Sequence, residues 1–453
     1  NYRPNASAGT QQHSRPRWWI RGVGAGQQQI DFPNPVGFYR DDVYISNSSA
    51  TGFPLFDLER VEVLRGPQGT LWGKNTTGGA INVVSRKPGA QTDGYFKADY
   101  SSHDTVLLEG AIGGSIKDDI LTGRISFHSE EQHEGNFNNV FKGTKDGELK
   151  DNALRAQLRA KINRDFTANL SLHYRDYQVD GATTTVASYA PNGVYRNGYV
   201  PSRDPEDVSS NAPSIQNIEQ KGANLTLEHA FGDYALTSIT GYEDFESDSL
   251  GDSDNSPLEI SRGRSEARSR QFSQELRLAS PKGDRINWVG GLHYFREKID
   301  SDSSVARLPE PIAGAFLPST QPVGFNNTVY EHKTRSFAAF GSATVDLTER
   351  LLATIGLRWT TETKDLDLRR IRPRIRSASA TPTTGGTPSS AAISVRRRWR
   401  AITLRRTRRP PGAPGPTTSR RSTRSTRTCA SMSSTRTASS RAATTPARPM
   451  CAR

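Results

Sequence analysis

The chain has 453 residues, with 60 Lys plus Arg against 47 Asp plus Glu, 33% hydrophobic residues, 39 Gly, 26 Pro and two Cys. Of the bases, 21 are arginines from Arg369 to Arg453, a stretch without Lys, Asp or Glu; the body keeps 39 bases against 47 acids, net −8, while the tail is +21. The overall +13 therefore describes no folded unit, and the usual inference from a basic pI to nucleic acid does not hold for the body.

Cys429 and Cys451 lie in the tail, as do Met432 and Met450, which excludes a disulfide, a thiolate metal site or a thiol nucleophile from the body. No run of about 20 apolar residues exists, so a spanning helix is excluded and a transmembrane barrel is not. The chain starts at Asn1-Tyr2-Arg3-Pro4, and any signal peptide is expected upstream.

In chain order, residues 1–93 read as a small Gly-rich domain whose beginning lies outside the chain. Within it, Asp57 to Leu64 reads as a strand, Arg65-Gly66-Pro67-Gln68-Gly69 as a turn and Gly78 to Ser85 as a return strand.

Residues 94–368 alternate with a period of two in segments of roughly ten residues, the length and pattern of strands crossing a bilayer. Leu351, Ala353, Ile355, Leu357 and Trp359 oppose Leu352, Thr354, Gly356, Arg358 and Thr360. Leu154, Leu158 and Ile162 are also four apart and fit a helix in isolation; the neighbouring segments favour a strand. Short links at 117–119, 163–165, 231–233, 280–284 and 346–349 alternate with long ones at 132–150, 179–216, 246–265 and 301–331. A first hairpin closes early near His103-Asp104. Tight turns at one end and long loops at the other are the habit of an outer-membrane barrel, and about eleven strands are expected.

Residues 369–453 contain too few apolar side chains to offset the entropy of ordering and are expected to be disordered. An Arg-rich RNA- or lipid-binding arm is one reading. Out-of-frame translation of a high-GC gene is the reading preferred, because the break falls inside a strand-like segment.

Two nucleotide motifs fail. Gly73-Lys74 has Gln68 where a phosphate loop needs Gly and Asn75 where it needs Ser or Thr, and Gly22-Val23-Gly24-Ala25-Gly26 is followed by Gln27 where a dinucleotide site needs its third Gly. His128, Glu130, Glu131 and His133 match no strong metal spacing and read as a solvated loop edge. No catalytic constellation is found, and no cofactor is implied.

What remains specific is Arg60-Val61-Glu62-Val63-Leu64-Arg65-Gly66-Pro67-Gln68-Gly69-Thr70-Leu71-Trp72-Gly73, followed by Asn75 to Pro88 with Gly78-Gly79-Ala80-Ile81-Asn82. This string resembles the end of the plug domain of TonB-dependent outer-membrane receptors. Trp19-Ile20-Arg21-Gly22-Val23-Gly24 and Val36 to Ile45 resemble two further plug signatures, in the right order. Arg40-Asp41 departs from the family's usual small or apolar residue followed by Asp-Gly.

The resemblance implies a transmembrane antiparallel β-barrel, here about half of 22 strands, with an N-terminal α+β plug. It implies energised uptake of a large scarce ligand such as a ferric siderophore, with TonB, ExbB and ExbD as partners, outer-membrane lipid around the barrel and no nucleic acid. The plug motif would comprise Arg21, Gly22, Glu62, Arg65, Gly66, Pro67, Gly69, Gly78, Gly79 and Asn82, with Arg21 and Arg65 paired to carboxylates on the inner wall or else stabilising the plug itself. The TonB-contacting segment is expected upstream of Asn1. Half a barrel would leave unpaired edges in lipid, so the chain as written is expected to be a truncated, frame-disrupted product unable to transport. A soluble β-rich binding or adhesion protein is the alternative.

Overall fold

The computed structural model describes residues 16–24, 30–118, 120–182, 200–258, 261–281, 283, 285–307, 324–348, 351–371 and 425–438. The first strands form a ribbon, β1 (Trp19–Ile20) and β2 (Val23–Gly24), around a turn in which Arg21 (φ 49°) and Gly22 (φ 81°) are both left-handed. The next four are β3 (Val36–Arg40), β4 (Val43–Ile45), β5 (Leu58–Arg65) and β6 (Gly79–Ser85), in sheet order β4-β3-β6-β5 with β3 and β6 parallel. Asp41 and Asp42 take the tight β3–β4 turn with φ of 48° and 66°, so the departure at this turn keeps the hairpin geometry. Central β3 and β6 are wholly buried, while edge strand β5 is largely exposed. The α+β expectation for this domain is corrected: its described residues hold strands and one 3₁₀ turn (Ala50–Gly52) but no α-helix. Segments punctuated by Gly66, Pro67, Gly69 and Gly73 are too short and too turn-rich to propagate one.

The remainder is an antiparallel wall. Its first strands are β7 (Asp93–Ser101), β8 (Thr105–Lys117) and β9 (Leu121–Gln132). After the short β10 (Phe137–Asn139) and β11 (Thr144–Asp146) come β12 (Glu148–Lys161) and β13 (Phe166–Asp180). The short β14 (Asp207–Val208) precedes β15 (Ile215–Phe231), β16 (Tyr234–Asp252), β17 (Ser261–Ala279) and β18 (Ile286–Arg307). Last come β19 (Gly324–Thr348), β20 (Leu351–Ile371) and β21 (Ser425–Ala438). Short β10, β11 and β14 form a separate small sheet within the links between wall strands, and the other twelve make one sheet in meander order. Among the described residues its outer strands β7 and β21 do not pair with each other, so the barrel is not closed.

Residues 154–161 lie in β12, paired on both sides as far as Ala160, which settles them as strand, and Ile162 stands just past its end. The links at 246–265 and 301–331 are shorter than expected, because β16 to β19 run on to Asp252, from Ser261, to Arg307 and from Gly324. The backbone ladder continues with polar, charge-paired residues such as Arg264 and Asp248 (3.6 Å), which carry no hydropathy signal. In the tail, disorder was expected throughout, yet 425–438 pair with β20. An unpaired strand edge accepts any extended partner, and this Ser/Thr-rich stretch contains no Pro.

Burial is inverted relative to a soluble sheet. Ile112 is 65% exposed and Ile355 and Leu357 57%, on outward positions, whereas Arg124, Arg155, Arg175 and Gln220 are fully buried on inward ones. An apolar exterior around a polar interior is the signature of a membrane barrel and excludes the soluble sandwich alternative. The buried apolar core is instead shared between the two parts: Val36, Phe38, Val43 and Ile81 of the plug pack with Tyr177, Ile218, Ile239 and Phe245 of the wall.

Candidate functional site

The site is the seam where the small sheet seats against the wall, and inward polar residues of successive strands build it. Arg124 on β9 grips Asp57 with two charge-assisted bonds, Nε to Oδ2 at 2.8 Å and Nη2 to Oδ1 at 2.5 Å, and also reaches Asp93 at 3.2 Å. Arg155 on β12 donates to the carbonyls of Phe56 (2.8 Å) and Asp57 (2.9 Å), lies 3.7 Å from the Asp57 carboxylate and covers the Phe56 ring. Asp57 thus sits under two guanidinium groups with its backbone left-handed (φ 48°), a conformation Asp tolerates better than most residues.

A second cluster reverses the polarity. Arg40 at the end of β3 lies 2.8 Å from Nε2 of His173 on β13 and 3.7 Å from Glu243 on β16, with its guanidinium over Phe53. Gln220 on β15 donates to the Ala50 carbonyl (3.0 Å) and to Glu243, tying both sheets into one network. Burial pulls the Arg40 guanidinium below its ordinary value while Glu243 opposes that pull. Farther along, Ser46 donates to Gln271 of β17 (N, 3.0 Å; Oγ, 2.9 Å) and to Glu297 of β18, while Gln271 returns a bond to the Tyr44 carbonyl.

The last cluster involves the turn after β5. Lys74, which belongs to no phosphate loop, donates to Glu362 of β20 at 3.0 Å with its ammonium 3.7 Å from the Phe295 ring centroid. Burial holds this lysine below its ordinary value, against the pull of Glu362. Here the two sheets approach so closely that a Cβ on Gly73 (φ +83°) would stand 2.7 Å from Nη2 of Arg358, and one on Gly356 would stand 2.6 Å from Cγ2 of Thr70. A Cβ on Gly241 of β16 would likewise run into Val43.

The residues expected from the plug string are brought together within the small sheet. Asn82, 1% exposed on β6, donates to Asp42 (2.8 Å) and Glu62 (3.0 Å), and Glu62 also accepts from Arg60 (2.7 Å). The hydrogen bond from Asn82, then that from Arg60, holds the Glu62 carboxyl below its ordinary value. Gly66 (φ +83°) donates to the Gly78 carbonyl at 3.2 Å across the turn, while Pro67 and Gly69 shape the loop between them. Gly78 donates to the Pro35 carbonyl at 2.9 Å, and Gly79 (φ +147°) packs where any Cβ would run into the Leu64 carbonyl. Arg21 and Arg65 are exposed, and none of the described plug-to-wall ion pairs involves them. The seam runs through Arg40, Asp57 and Lys74 and their wall partners. His128 stacks on Phe56 inside the wall, while His133 is exposed.

A small sheet seated by buried polar bonds and a shared apolar cluster against an inside-out antiparallel wall is the plug-and-barrel architecture of an outer-membrane receptor. Two family models match the chain: the TonB-dependent receptor plug domain over residues 1–80 and the TonB-dependent receptor-like β-barrel over residues 165–402. The chain belongs to the TonB-dependent receptors, proteins of the Gram-negative outer membrane.

Among relatives, the pesticin receptor of Yersinia pestis is 41% identical over 108 residues, 24% of this chain and 16% of its own length. The ferric enterobactin receptor of Pseudomonas aeruginosa is 22% identical over 345 residues, 69% of this chain and 43% of its own. The ferric yersiniabactin uptake receptor of Yersinia pestis shares the fold with a TM-score of 0.65 at 20% identity, covering 79% of this chain and 54% of that one. The chain therefore spans about half the length of the solved receptors it resembles.

Proposed function

We propose that this receptor takes up a ferric siderophore or similar large iron chelate, with TonB, supported by ExbB and ExbD, supplying the pull that unseats the plug. The seam carries this reading: its buried polar pairs, Arg124 with Asp57, Arg40 with Glu243 and Lys74 with Glu362, can be exchanged for water one by one, so a directed pull meets a series of small steps beside the shared apolar cluster. Relatives named as ferric yersiniabactin, ferric enterobactin and ferrichrome receptors support iron as the cargo. The role is that of a carrier, not a catalyst. Exposed Arg21 and Arg65 are proposed to meet wall carboxylates outside the described strands; swapping their charge would then unseat the plug.

The 453-residue chain is further proposed to transport nothing alone, since its sheet is open and unpaired strand edges are not tolerated in lipid. The test is radiolabelled iron-chelate uptake into vesicles containing the refolded chain, beside chelate binding in detergent. Binding without uptake supports both statements; uptake overturns the second, and the absence of binding to any of a panel of iron chelates overturns the first.

A further inference from the structure

Beyond the plug, the inner face of β16 to β19 carries a pattern that the seam does not use. Strand β17 alternates strictly: Arg262, Arg264, Glu266, Arg268 and Arg270 stand on outward positions, and Gly263, Ser265, Ala267 and Ser269 on inward ones. Ser269 fixes the side, since it is 3% exposed and donates to the buried Glu297 at 3.0 Å, and the period of two carries the assignment along the strand. Outward carboxylates of the neighbouring strands take up three of the arginines: Asp248 meets Arg264 at 3.6 Å, Asp244 meets Arg268 at 2.6 Å and Asp300 meets Arg270 at 3.3 Å. A cation-rich strand thus places no cation on its lumen side.

Neighbouring strands repeat the choice. Asp31 of the plug hydrogen-bonds Tyr330, and the next inward row toward the long links joins Ser249, Ser265, Ser303 and Thr328 across β16 to β19. One row farther out stand Gly251, Gly263, Val305 and Asn326. All of these positions are partly exposed and none is charged. Ser249 donates to the Ser265 carbonyl at 3.3 Å, while the hydroxyls of Ser265, Ser303 and Thr328 have no partner among the described residues, which leaves each able to bond a ligand.

A polyanion pressed against these rows would lose water without meeting a cation, and unpaired charge is costly to desolvate. Directly behind the serine row, the outward row of Asp248, Glu266 and Asp302 adds negative field, within a body of net charge −8. An uncharged ligand meets neither penalty. Given an iron-chelate cargo, the reading on which this inference rests, we propose that it is an electrically neutral chelate of the tris-hydroxamate class, held by bonds from the Ser249, Ser265, Ser303 and Thr328 row to its oxygen atoms, and that tris-catecholate chelates are refused. Three singly charged hydroxamates cancel the charge of iron(III), whereas three doubly charged catecholates leave a trianion. Two chelates of similar size therefore differ in the property that this wall discriminates.

The test titrates the full chain in detergent with a neutral ferric tris-hydroxamate and with a ferric tris-catecholate of similar size, reading the quenching of tryptophan fluorescence. The hydroxamate should bind at least tenfold more tightly, with little dependence on salt, and the weaker catecholate binding should strengthen with salt as repulsion is screened. S265R brings a cation to the inner row and should strengthen catecholate binding at least tenfold while weakening that of the hydroxamate. S265A/S303A/T328V removes hydroxyls without adding bulk or charge; it should weaken the hydroxamate several-fold and leave the catecholate unchanged. R264Q, on the outward side, should keep the parent's preference. Catecholate bound as tightly as hydroxamate, a folded S265R with the parent's preference, or a triple variant that binds both chelates like the parent would each overturn the charge selection and leave the iron-chelate reading standing. Binding of neither chelate by the parent would remove that reading and this inference with it.

Discussion

Substituting Asp57 by Asn tests the seam at its most buried charge. The side chain is 1% exposed, that of Arg124 is fully buried and that of Arg155 is 2% exposed, so the carboxylate neutralises two guanidinium groups with almost no water present. Asn keeps the size and the left-handed backbone but removes the charge. Breaking a buried pair from one side typically costs about 3–5 kcal/mol, since the remaining charge is left uncompensated. Here Arg124 retains Asp93 at 3.2 Å and Arg155 retains two carbonyl acceptors, which places the cost near the lower end, about 3 kcal/mol. A plug-opening equilibrium shifted by that amount rises roughly 100-fold. Amide hydrogen exchange of β6, read in detergent, measures it: protection should fall by about two orders of magnitude in the variant. Adding Arg124→Met should restore much of the loss, because the stranded charge goes with it. Unchanged β6 protection, or two substitutions whose costs simply add, would refute the idea that this pair seats the plug.

Gly79→Ala should loosen the same strand by about 1–3 kcal/mol, since a Cβ there meets the Leu64 carbonyl and φ is +147°; the plug's share of the unfolding transition reports it. Lys74→Met should cost less than Asp57→Asn, about 1–2 kcal/mol, because Glu362 keeps Lys364 at 3.6 Å; the same exchange experiment ranks the two. At the outer end of β16, burial and then the neighbouring Asp254 push the Asp252 carboxyl up to about 6. Because this folded value lies above the ordinary 3.8, its contribution to stability is full below about pH 3.8 and is lost as pH rises through about 6. Asp252→Asn should flatten the thermal midpoint across that window, and carboxyl NMR of the parent should titrate near pH 6 rather than 4.

Much of this architecture is written locally. The string from Arg60 to Pro88 carries β5, its Gly-Pro turn and β6 because turn chemistry and strand alternation act over a few residues, and outward Leu154, Leu158, Ile355 and Leu357 mark their strands by period alone. Strand length was less legible at β16 to β19. Past the bilayer both faces become polar, so the pattern that locates a strand fades while its hydrogen-bond ladder continues.

The seam was the least legible part. The Arg-Gly context points to Arg21 and Arg65, whereas the described bonds run through Arg40, Asp57 and Lys74 to partners 67 to 288 positions away. Such pairings depend on register summed over several strands, which no local pattern encodes. A usable signal did exist: Arg124 and Arg155 occupy inward positions flanked by outward Ile125 and Leu154, and a lone cation on the lumen side of a strand needs an anion from whatever fills the lumen.

The close approaches at Gly73, Gly356 and Gly241 bind the heredity of plug and wall together. Arg358 occupies the space that a side chain at position 73 would need, and Thr70 and Val43 occupy the space of side chains at 356 and 241. A plug that acquires alanine at 73 must hold a left-handed backbone (φ +83°) and push the Arg358 guanidinium aside, which a shorter residue 358 would relieve, and a wall that enlarges 356 meets Thr70. Plugs grafted between relatives will therefore jam or rattle unless these positions travel with them, and substitutions at 73 and 358, or at 70 and 356, should be inherited as couples.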